Sequence, residues 1–275
     1  MNFHHHIPSE PLNHFISMMW FGDDYIAPHA LERVLPTGEM SLIINLWENR
    51  TRVYNADDPR KFTTCEGSIV VGAYSAFTVI DTEEQRATAG VVFRPGGAFP
   101  FFRLPAGELQ DKGVSLSALW GRQAAADLRE QLLATRSPEA KFKILERAFL
   151  QRINVPLEAT HPAVSFAVEN FRHRPTRPIS SVTDQIGLSD RHFIQLFSQQ
   201  VGLTPKLFCR VQRFQKVLRN ITRVAAGSVI DWPQIALTCG YFDQSHFIHD
   251  FRAFSGINPT TYVANKTQFQ NHVAL

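Results

Sequence analysis

The pattern of apolar and polar positions divides the chain into a β-rich front part and a helical back part. Short apolar runs rich in β-branched residues lie at 41–47, 68–72 and 88–93, and Pro and Gly separate them at turn-like intervals. Across residues 115–150 the apolar positions change to helical spacing, and Ser137, followed by Pro and Glu, marks a helix start. The pattern predicts an α+β fold: an N-terminal β-rich domain, a sandwich or barrel, that also carries helices, and a C-terminal all-α domain.

Length and charge agree with two domains of different roles. Domains commonly hold about 100–200 residues, and this chain has 275. Residues 154–162 have the composition of a linker, so we expect domains at 1–155 and 163–265. Residues from 161 onward contain 12 Lys and Arg against 6 Asp and Glu, whereas the first 160 contain 16 against 19. An excess of positive charge in one half favours a nucleic-acid-binding half joined to something else.

The C-terminal part contains an internal repeat. Six positions of the same or similar type recur in the same order, and from the first Phe onward the spacings of 4, 5, 3 and 3 residues are identical. Such agreement is hard to obtain by chance. The first copy consists of Gly187, Phe193, Phe197, Gly202, Pro205 and Phe208, and the second of Gly240, Phe247, Phe251, Gly256, Pro259 and Tyr262.

The first copy predicts a helix-turn-helix unit. A short helix ends at Gly187, where the left-handed conformation costs little, and Ser189 caps the helix that follows. Two Phe residues at i and i+4 bury one face of that helix, Gly202 stops it and Pro205 opens the next. Helix, short turn, helix is the plan in which the second helix enters the DNA major groove.

The second copy predicts the same unit again. Trp232 to Leu237 forms its first helix, Gly240 makes its turn and Asp243 caps its second helix. A plain helical bundle is the alternative, because helix pairs with Gly turns are common. Two copies are too few for a stable solenoid.

One long amphipathic helix is predicted between the two copies. Apolar residues occupy one side of it, and six cations at helical spacing occupy another, with no acid between them in the sequence. A stripe of cations without anions favours a phosphate backbone as its neighbour. The stripe consists of Lys206, Arg210, Arg213, Lys216, Arg219 and Arg223.

Residues 163–265 resemble the AraC/XylS family of transcription regulators. The match is close over 236–259, which begins Ala-Leu-Thr-Cys-Gly-Tyr-Phe-Asp-Gln-Ser-His-Phe, and looser over the first unit. Two positions depart from the family pattern: Thr183 stands where a small Ala is usual, and His249 where an Arg is frequent. The resemblance implies a sequence-specific regulator with two helix-turn-helix units that binds double-stranded DNA, and an activator of this kind would also contact RNA polymerase.

Outward-pointing residues near the start of each second helix are the predicted base readers. They are Arg191, Ile194 and Gln195 in the first unit and Gln244, Ser245, Ile248 and His249 in the second. The predicted phosphate contacts are Lys206, Arg210, Arg213 and Lys216.

The front part resembles, less specifically, the effector domains of some such regulators. The matching pieces lie at 35–39, 93–98 and 116–121. The resemblance implies a cupin-like barrel that senses a small molecule or mediates dimerisation, for which residues of about 115–150 offer an amphipathic helix pair. Candidate pocket residues are Trp20, Trp47 and Phe93 as apolar walls and Arg94 as an anchor for an anionic group.

No catalytic or metal-binding constellation is predicted, and no cofactor. The three Cys residues lie far apart without a CxxC spacing, which fits a reducing cytoplasm. No long apolar run or signal pattern indicates a membrane or an export route. Two enzymatic alternatives remain: a metal-dependent barrel enzyme fused to the DNA-binding half, and a DNA-repair methyltransferase. The second needs a four-cysteine zinc site, and Cys65 alone precedes residue 209.

Overall fold

The computed structural model describes residues 2–153, 160–224 and 229–275. Most of the predicted linker, residues 154–159, therefore lies outside the described residues. The predicted order of elements is confirmed, because strands dominate the front part and helices the back part. Among the described helices, none combines the length and the apolar character that crossing a membrane requires.

Three antiparallel sheets form the front domain. The strands are β1 (Asn2–His6), β2 (Ile16–Asp23), β3 (Leu31–Val34), β4 (Ser41–Asn45), β5 (Arg50–Tyr54), β6 (Phe62–Glu66), β7 (Ser68–Val71), β8 (Thr78–Asp81), β9 (Ala87–Phe93) and β10 (Gly113–Ser115), with β11 (His272–Ala274) at the end of the chain. The largest sheet has the order β1-β2-β9-β4-β7-β10, and the smaller ones have the orders β11-β3-β8 and β5-β6.

The helices of the front domain pack on one face of the large sheet. They are α1 (Phe99–Phe102), α2 (Leu116–Trp120), α3 (Arg122–Leu133) and α4 (Pro138–Leu150). Ser137 caps α4 by accepting a hydrogen bond from Ala140 N, as the helix-start signal predicts. Buried Leu128, Leu145 and Phe149 join the sheet core. The apolar face that the sequence offered for dimerisation is therefore covered within one chain.

The described residues of the back domain form seven helices: α5 (Pro162–His173), α6 (Ser180–Ile186), α7 (Asp190–Val201), α8 (Pro205–Arg223), α9 (Trp232–Cys239), α10 (Gln244–Ser255) and α11 (Pro259–Asn265). The helix pairs α6–α7 and α9–α10 are the two predicted units, and α8 is the predicted connecting helix. Both units pack against α8 through aromatic contacts. The ring centroids of Phe197 and Phe208 are 5.6 Å apart, and those of Phe214 and Phe251 are 5.2 Å apart.

The two domains meet along α8. Buried Gln212 and Gln215 donate hydrogen bonds from Nε2 to the backbone carbonyls of Thr37 (3.1 Å) and Pro36 (2.8 Å). These carbonyls belong to the loop at 35–39 that the sequence singled out before β4. The face of α8 that carries these two glutamine side chains, its amide face, therefore fixes the DNA-binding half on the front domain.

The last ten residues, 266–275, form a C-terminal strap that returns to the front domain. Strand β11 pairs antiparallel with β3, with Val273 opposite Arg33. Gln215 also donates to Asn271 Oδ1 at 3.0 Å, which ties the strap to α8. The predicted boundary at 265 stays a prediction for the DNA-binding unit, but the strap itself is part of a front-domain sheet.

Candidate nucleic-acid interface

The first unit has the local geometry that the repeat predicts. Gly187 is left-handed with φ of 73°, and the Ser189 hydroxyl accepts a hydrogen bond from His192 N at 3.4 Å. Phe193 and Phe197 are fully buried. Their burial turns the opposite side of α7 to solvent, where all three predicted base readers lie exposed: Arg191, Ile194 and Gln195.

The second unit repeats this geometry. Gly240 is left-handed with φ of 86°, and Asp243 caps α10 by accepting from His246 N at 2.7 Å. Three predicted base readers are exposed on α10: Gln244, Ser245 and His249. Ile248 is half-buried and packs against the core. Each unit therefore presents polar side chains near the start of its second helix.

Thr183, the departure from the usual Ala, connects the two helices of the first unit. Its side chain is buried, and Oγ1 lies 2.9 Å from Asp190 Oδ1 on α7 and 3.1 Å from Ser180 O on α6. The buried hydroxyl therefore has polar partners, which a buried polar group needs. Its contact with the Asp190 carboxylate therefore links α6 to α7.

The basic stripe of α8 is only partly directed to solvent. Arg210 binds the buried carboxylate of Asp250 on α10 at 2.7 Å (Nη2 to Oδ1) and 3.4 Å (Nε to Oδ2), and Arg213 Nη2 lies 3.9 Å from Asp250 Oδ2. Lys216 donates to Thr238 O at 2.7 Å. These three side chains find acceptors within the protein, because α9 and α10 pack on this side of α8, and their predicted contacts with phosphate stay predictions. Lys206 is exposed.

Sequence reasoning missed Asp250, although the sequence carries a signal for it. Phe247, Asp250, Phe251 and Phe254 follow the spacing of one helix face, so an acid stands among residues that must be buried. A buried carboxylate requires a cation or several hydrogen-bond donors. The nearest cationic face along the chain is that of α8.

The cysteines have no reactive environment. Cys209 and Cys239 are buried, and burial raises the pKa of the Cys209 thiol to about 12 and also raises that of Cys239. Burial likewise raises the pKa of Cys65. Thiols that stay protonated at neutral pH are poor nucleophiles. Among the described residues, no three His, Cys, Asp or Glu side chains come together as a metal site.

The structure does not bring the four candidate effector residues together. Phe93 is fully buried among Phe101, Phe102 and Phe149. Trp20 lies across Gly90, where no side chain intervenes, and Trp47 is exposed beneath the Arg86 guanidinium. Arg94 points outward and donates to Asn13 O at 2.7 Å. Strand alternation puts Trp20 and Phe93 on opposite faces of the large sheet, because Trp20 pairs with Gly90, three positions before Phe93.

A cavity in the front domain lies apart from these four residues. It is a groove of about 490 Å³ between the end of β5, the loop before β8 and the turn before β10. Phenol, hydroxyl, carboxylate and ammonium groups line it together with Phe77. Apolar periodicity gave no signal for it, since a groove at loop ends depends on the tertiary arrangement.

Comparisons with known proteins match two separate parts of the chain. Residues 182–265 match a family described as a helix-turn-helix domain, and residues 4–115 match the domain of unknown function DUF6597. The matched family is of the AraC type, in agreement with the resemblance of residues 163–265 to AraC/XylS regulators. Two capped units on one connecting helix form a double helix-turn-helix, and this domain supports a DNA-binding transcription regulator.

Solved structures of ToxT from Vibrio cholerae are similar to the chain at low identity. One has 9% identity and a TM-score of 0.47, and the alignment covers 96% of this chain and 98% of that one. A second, bound to (E)-4-(8-methylnaphthalen-1-yl)but-3-enoic acid, has 10% identity, a TM-score of 0.47 and coverages of 96% and 99%. A third, bound to an unsaturated fatty acid, has 11% identity, a TM-score of 0.43 and coverages of 89% and 93%. A search of curated protein sequences found no match.

Proposed function

We propose that this regulator reads DNA bases through the exposed starts of α7 and α10 and that its front domain controls this binding in response to a small molecule. Base reading is supported by one observation: polar side chains near the start of both helices are exposed to solvent. Arg191 and Gln195 on α7, and Gln244 and His249 on α10, point away from cores that their own helices bury. Arg can pair with guanine and Gln with adenine in the major groove.

Both units on one rigid helix favour an asymmetric DNA site. Helix α8 is continuous from Pro205 to Arg223, and each unit packs on it. Units held in this way contact successive major grooves on one face of the duplex, about 10 bp apart, so one chain covers a site of about 20 bp. Lys206 is the exposed member of the predicted phosphate contacts.

The test is binding of Arg191→Ala and Gln244→Ala to a site selected from random DNA and to random DNA itself. Loss of one bidentate base contact costs about 1–3 kcal/mol of discrimination, so the variants should lose affinity for the selected site and little for random DNA. Arg252→Ala, an exposed cation in the last turn of α10, is the control and should affect both DNAs equally. Equal losses for Arg191→Ala and Gln244→Ala on both DNAs would contradict base reading.

The groove of the front domain is the proposed effector site. Its volume of about 490 Å³ falls within the range of about 300–1,000 Å³ of small-molecule sites. Tyr54, Tyr74 and Phe77 supply aromatic surface, and Asp111 and Lys112 supply charge. This site replaces the four residues expected from the sequence.

An effector in this groove must obey reciprocal coupling. A compound that changes DNA affinity by some factor changes its own affinity by the same factor when DNA is bound. A thermal-shift screen of metabolites, repeated with Tyr74→Ala, identifies compounds that act through the groove. If every stabilising compound acts equally on Tyr74→Ala, the groove is not the effector site. Dimerisation and contact with RNA polymerase stay predictions.

A further inference from the structure

The second helices of both units end against the same loop of the front domain. Gly202 closes α7 and Gly256 closes α10, both in the left-handed conformation, and they are equivalent positions of the internal repeat. The loop, residues 72–77, joins β7 to β8, and we call it the bridging loop. One end of it contacts the first unit and the other end contacts the second.

The contacts are close at both ends. A Cβ built on Gly202 would lie 3.3 Å from Ala73 Cβ and 3.2 Å from Ala106 O. A Cβ built on Gly256 would lie 2.5 Å from Cε1 of Phe77, so the Phe77 ring rests directly on the backbone of that turn. Phe77 stands four positions after Ala73, and four positions of chain span at most about 14 Å.

The bridging loop is itself fixed by the turn before β10. Asp111 N donates to Ala73 O at 3.2 Å, and the Asp111 carboxylate accepts from Ser75 N at 2.5 Å and from Ser75 Oγ at 2.8 Å. Gly72 N donates to Lys112 O at 2.9 Å. The guanidinium of Arg33 lies 5.3 Å from the centre of the Phe77 ring and covers it. The loop is therefore held at both ends and in its middle.

We propose that the bridging loop fixes the angle at which each recognition helix sits on α8, and through that angle the separation of the helix starts, and that Phe77 is the positioning residue for the second one. This inference rests on the proposed function. Contact with DNA takes place at the starts of α7 and α10, whereas the bridging loop holds their ends. Each helix has 12 residues and is about 18 Å long, so a change of angle at its end displaces its start along the DNA.

The spacing of the two half-sites reports this role directly. Adjacent base pairs are about 3.4 Å apart along the duplex, so a second unit freed from Phe77 accepts half-sites one base pair closer or farther. Base preference within each half-site depends on the exposed side chains and should not change. A loss of stability alone would reduce binding to all spacings alike.

The experiment uses the full chain and a DNA library in which the spacer between the two selected half-sites varies. For Phe77→Ala, discrimination against spacers one base pair longer or shorter should fall by about tenfold, equivalent to about 1.4 kcal/mol. Phe77→Leu, which keeps an apolar contact, should retain most of the discrimination. Phe62→Ala is the control, because Phe62 is an exposed aromatic residue of β6 in the same domain.

A second route does not depend on the folding of Phe77→Ala. Gly256→Ala places a methyl group against the Phe77 ring and should shift the preferred spacer, and combining it with Phe77→Leu should partly restore the original preference. Unchanged spacer discrimination in both Phe77→Ala and Gly256→Ala would overturn the inference. A natural protein that selects no DNA sequence would contradict the proposed function. Sequence selection with unchanged spacer discrimination in the variants would contradict only the role of the bridging loop.

Discussion

Removal of the His272 side chain is expected to loosen the C-terminal strap from the front domain. His272 Nδ1 lies 2.7 Å from Oε2 of Glu32, which is completely buried on β3. The other partners of this carboxylate are the Tyr25 hydroxyl and His29 Nε2. Burial alone would raise the pKa of Glu32, but hydrogen bonds from His272, Tyr25 and His29 lower it from 4.5 to about 2.

The size of the effect follows from this shift. The depressed pKa of Glu32 corresponds to roughly 3 kcal/mol of stabilisation of the ionised form, shared among the three partners. A hydrogen bond to a charged group contributes about 1.5–3 kcal/mol. His272→Ala should therefore lower the free energy of unfolding by about 2 kcal/mol at neutral pH. Because the pKa of Glu32 is depressed, its stabilisation is complete above pH 4.5 and is lost as the pH falls toward 2.

Urea unfolding of the full chain, with hydrogen exchange at residues 31–35, measures both the stability and the attachment of the strap. Exchange at 31–35 should accelerate in His272→Ala, because β11 covers the edge of β3. His173→Ala, an exposed histidine on α5, is the matched control and should leave both measurements unchanged. A stability loss below about 0.5 kcal/mol, the level of ordinary surface substitutions, together with unchanged exchange at β3, would refute this reasoning.

Three further predictions test the charged groups. Burial raises the pKa of Glu84 to about 7, so its contribution to stability is present below pH 4.5 and is lost as the pH rises through 7. In the natural protein this group should lower the free energy of unfolding by about 3 kcal/mol between pH 5 and 8, and Glu84→Gln should remove that decline. The exposed control Glu83→Gln should keep the decline, and an equally steep decline in Glu84→Gln would contradict the prediction. Asp250→Asn should lower the free energy of chemical unfolding by about 2–3 kcal/mol. Removal of one partner of a buried ion pair costs roughly 3–5 kcal/mol, and the loss is smaller here because Asn keeps an acceptor for Arg210. A loss under about 0.5 kcal/mol would contradict a stabilising Arg210–Asp250 ion pair. Lys206→Ala should reduce the salt slope of DNA binding by about 1, and an unchanged slope would exclude a phosphate contact.

The helix-turn-helix units were predictable because their signals are local. Glycine in the left-handed conformation, a capping hydroxyl or carboxylate, and Phe pairs at i and i+4 act within one or two turns of chain. Gly187, Ser189 and Asp243 occupy the geometry that their positions predict. The strands at 41–45 and 87–93 also follow from local apolar runs.

The partners of polar side chains were not predictable, because they come from distant segments. Arg210 reads as a free cation until α10 brings Asp250 against it. Gln215 reads as a solvated residue of α8, yet it binds Pro36 from the front domain. The separation of the four effector candidates was not predictable for a related reason, since residue type alone does not reveal where a side chain lies in the tertiary structure.

Helix α8 joins these observations, because it has three different faces. Its apolar face carries Phe208 and Phe214, its cationic face binds Asp250, and its amide face binds the loop at 35–39 through Gln212 and Gln215. A helix fixed on three sides cannot act as a flexible spacer between the units. The front domain contacts the ends of α7 and α10 and leaves their starts exposed, so in this arrangement it does not mask the proposed base readers. A signal from the front domain would then act on DNA binding by changing the geometry of the two units and not by covering them, and half-site spacing is the property in which such a change would be measured.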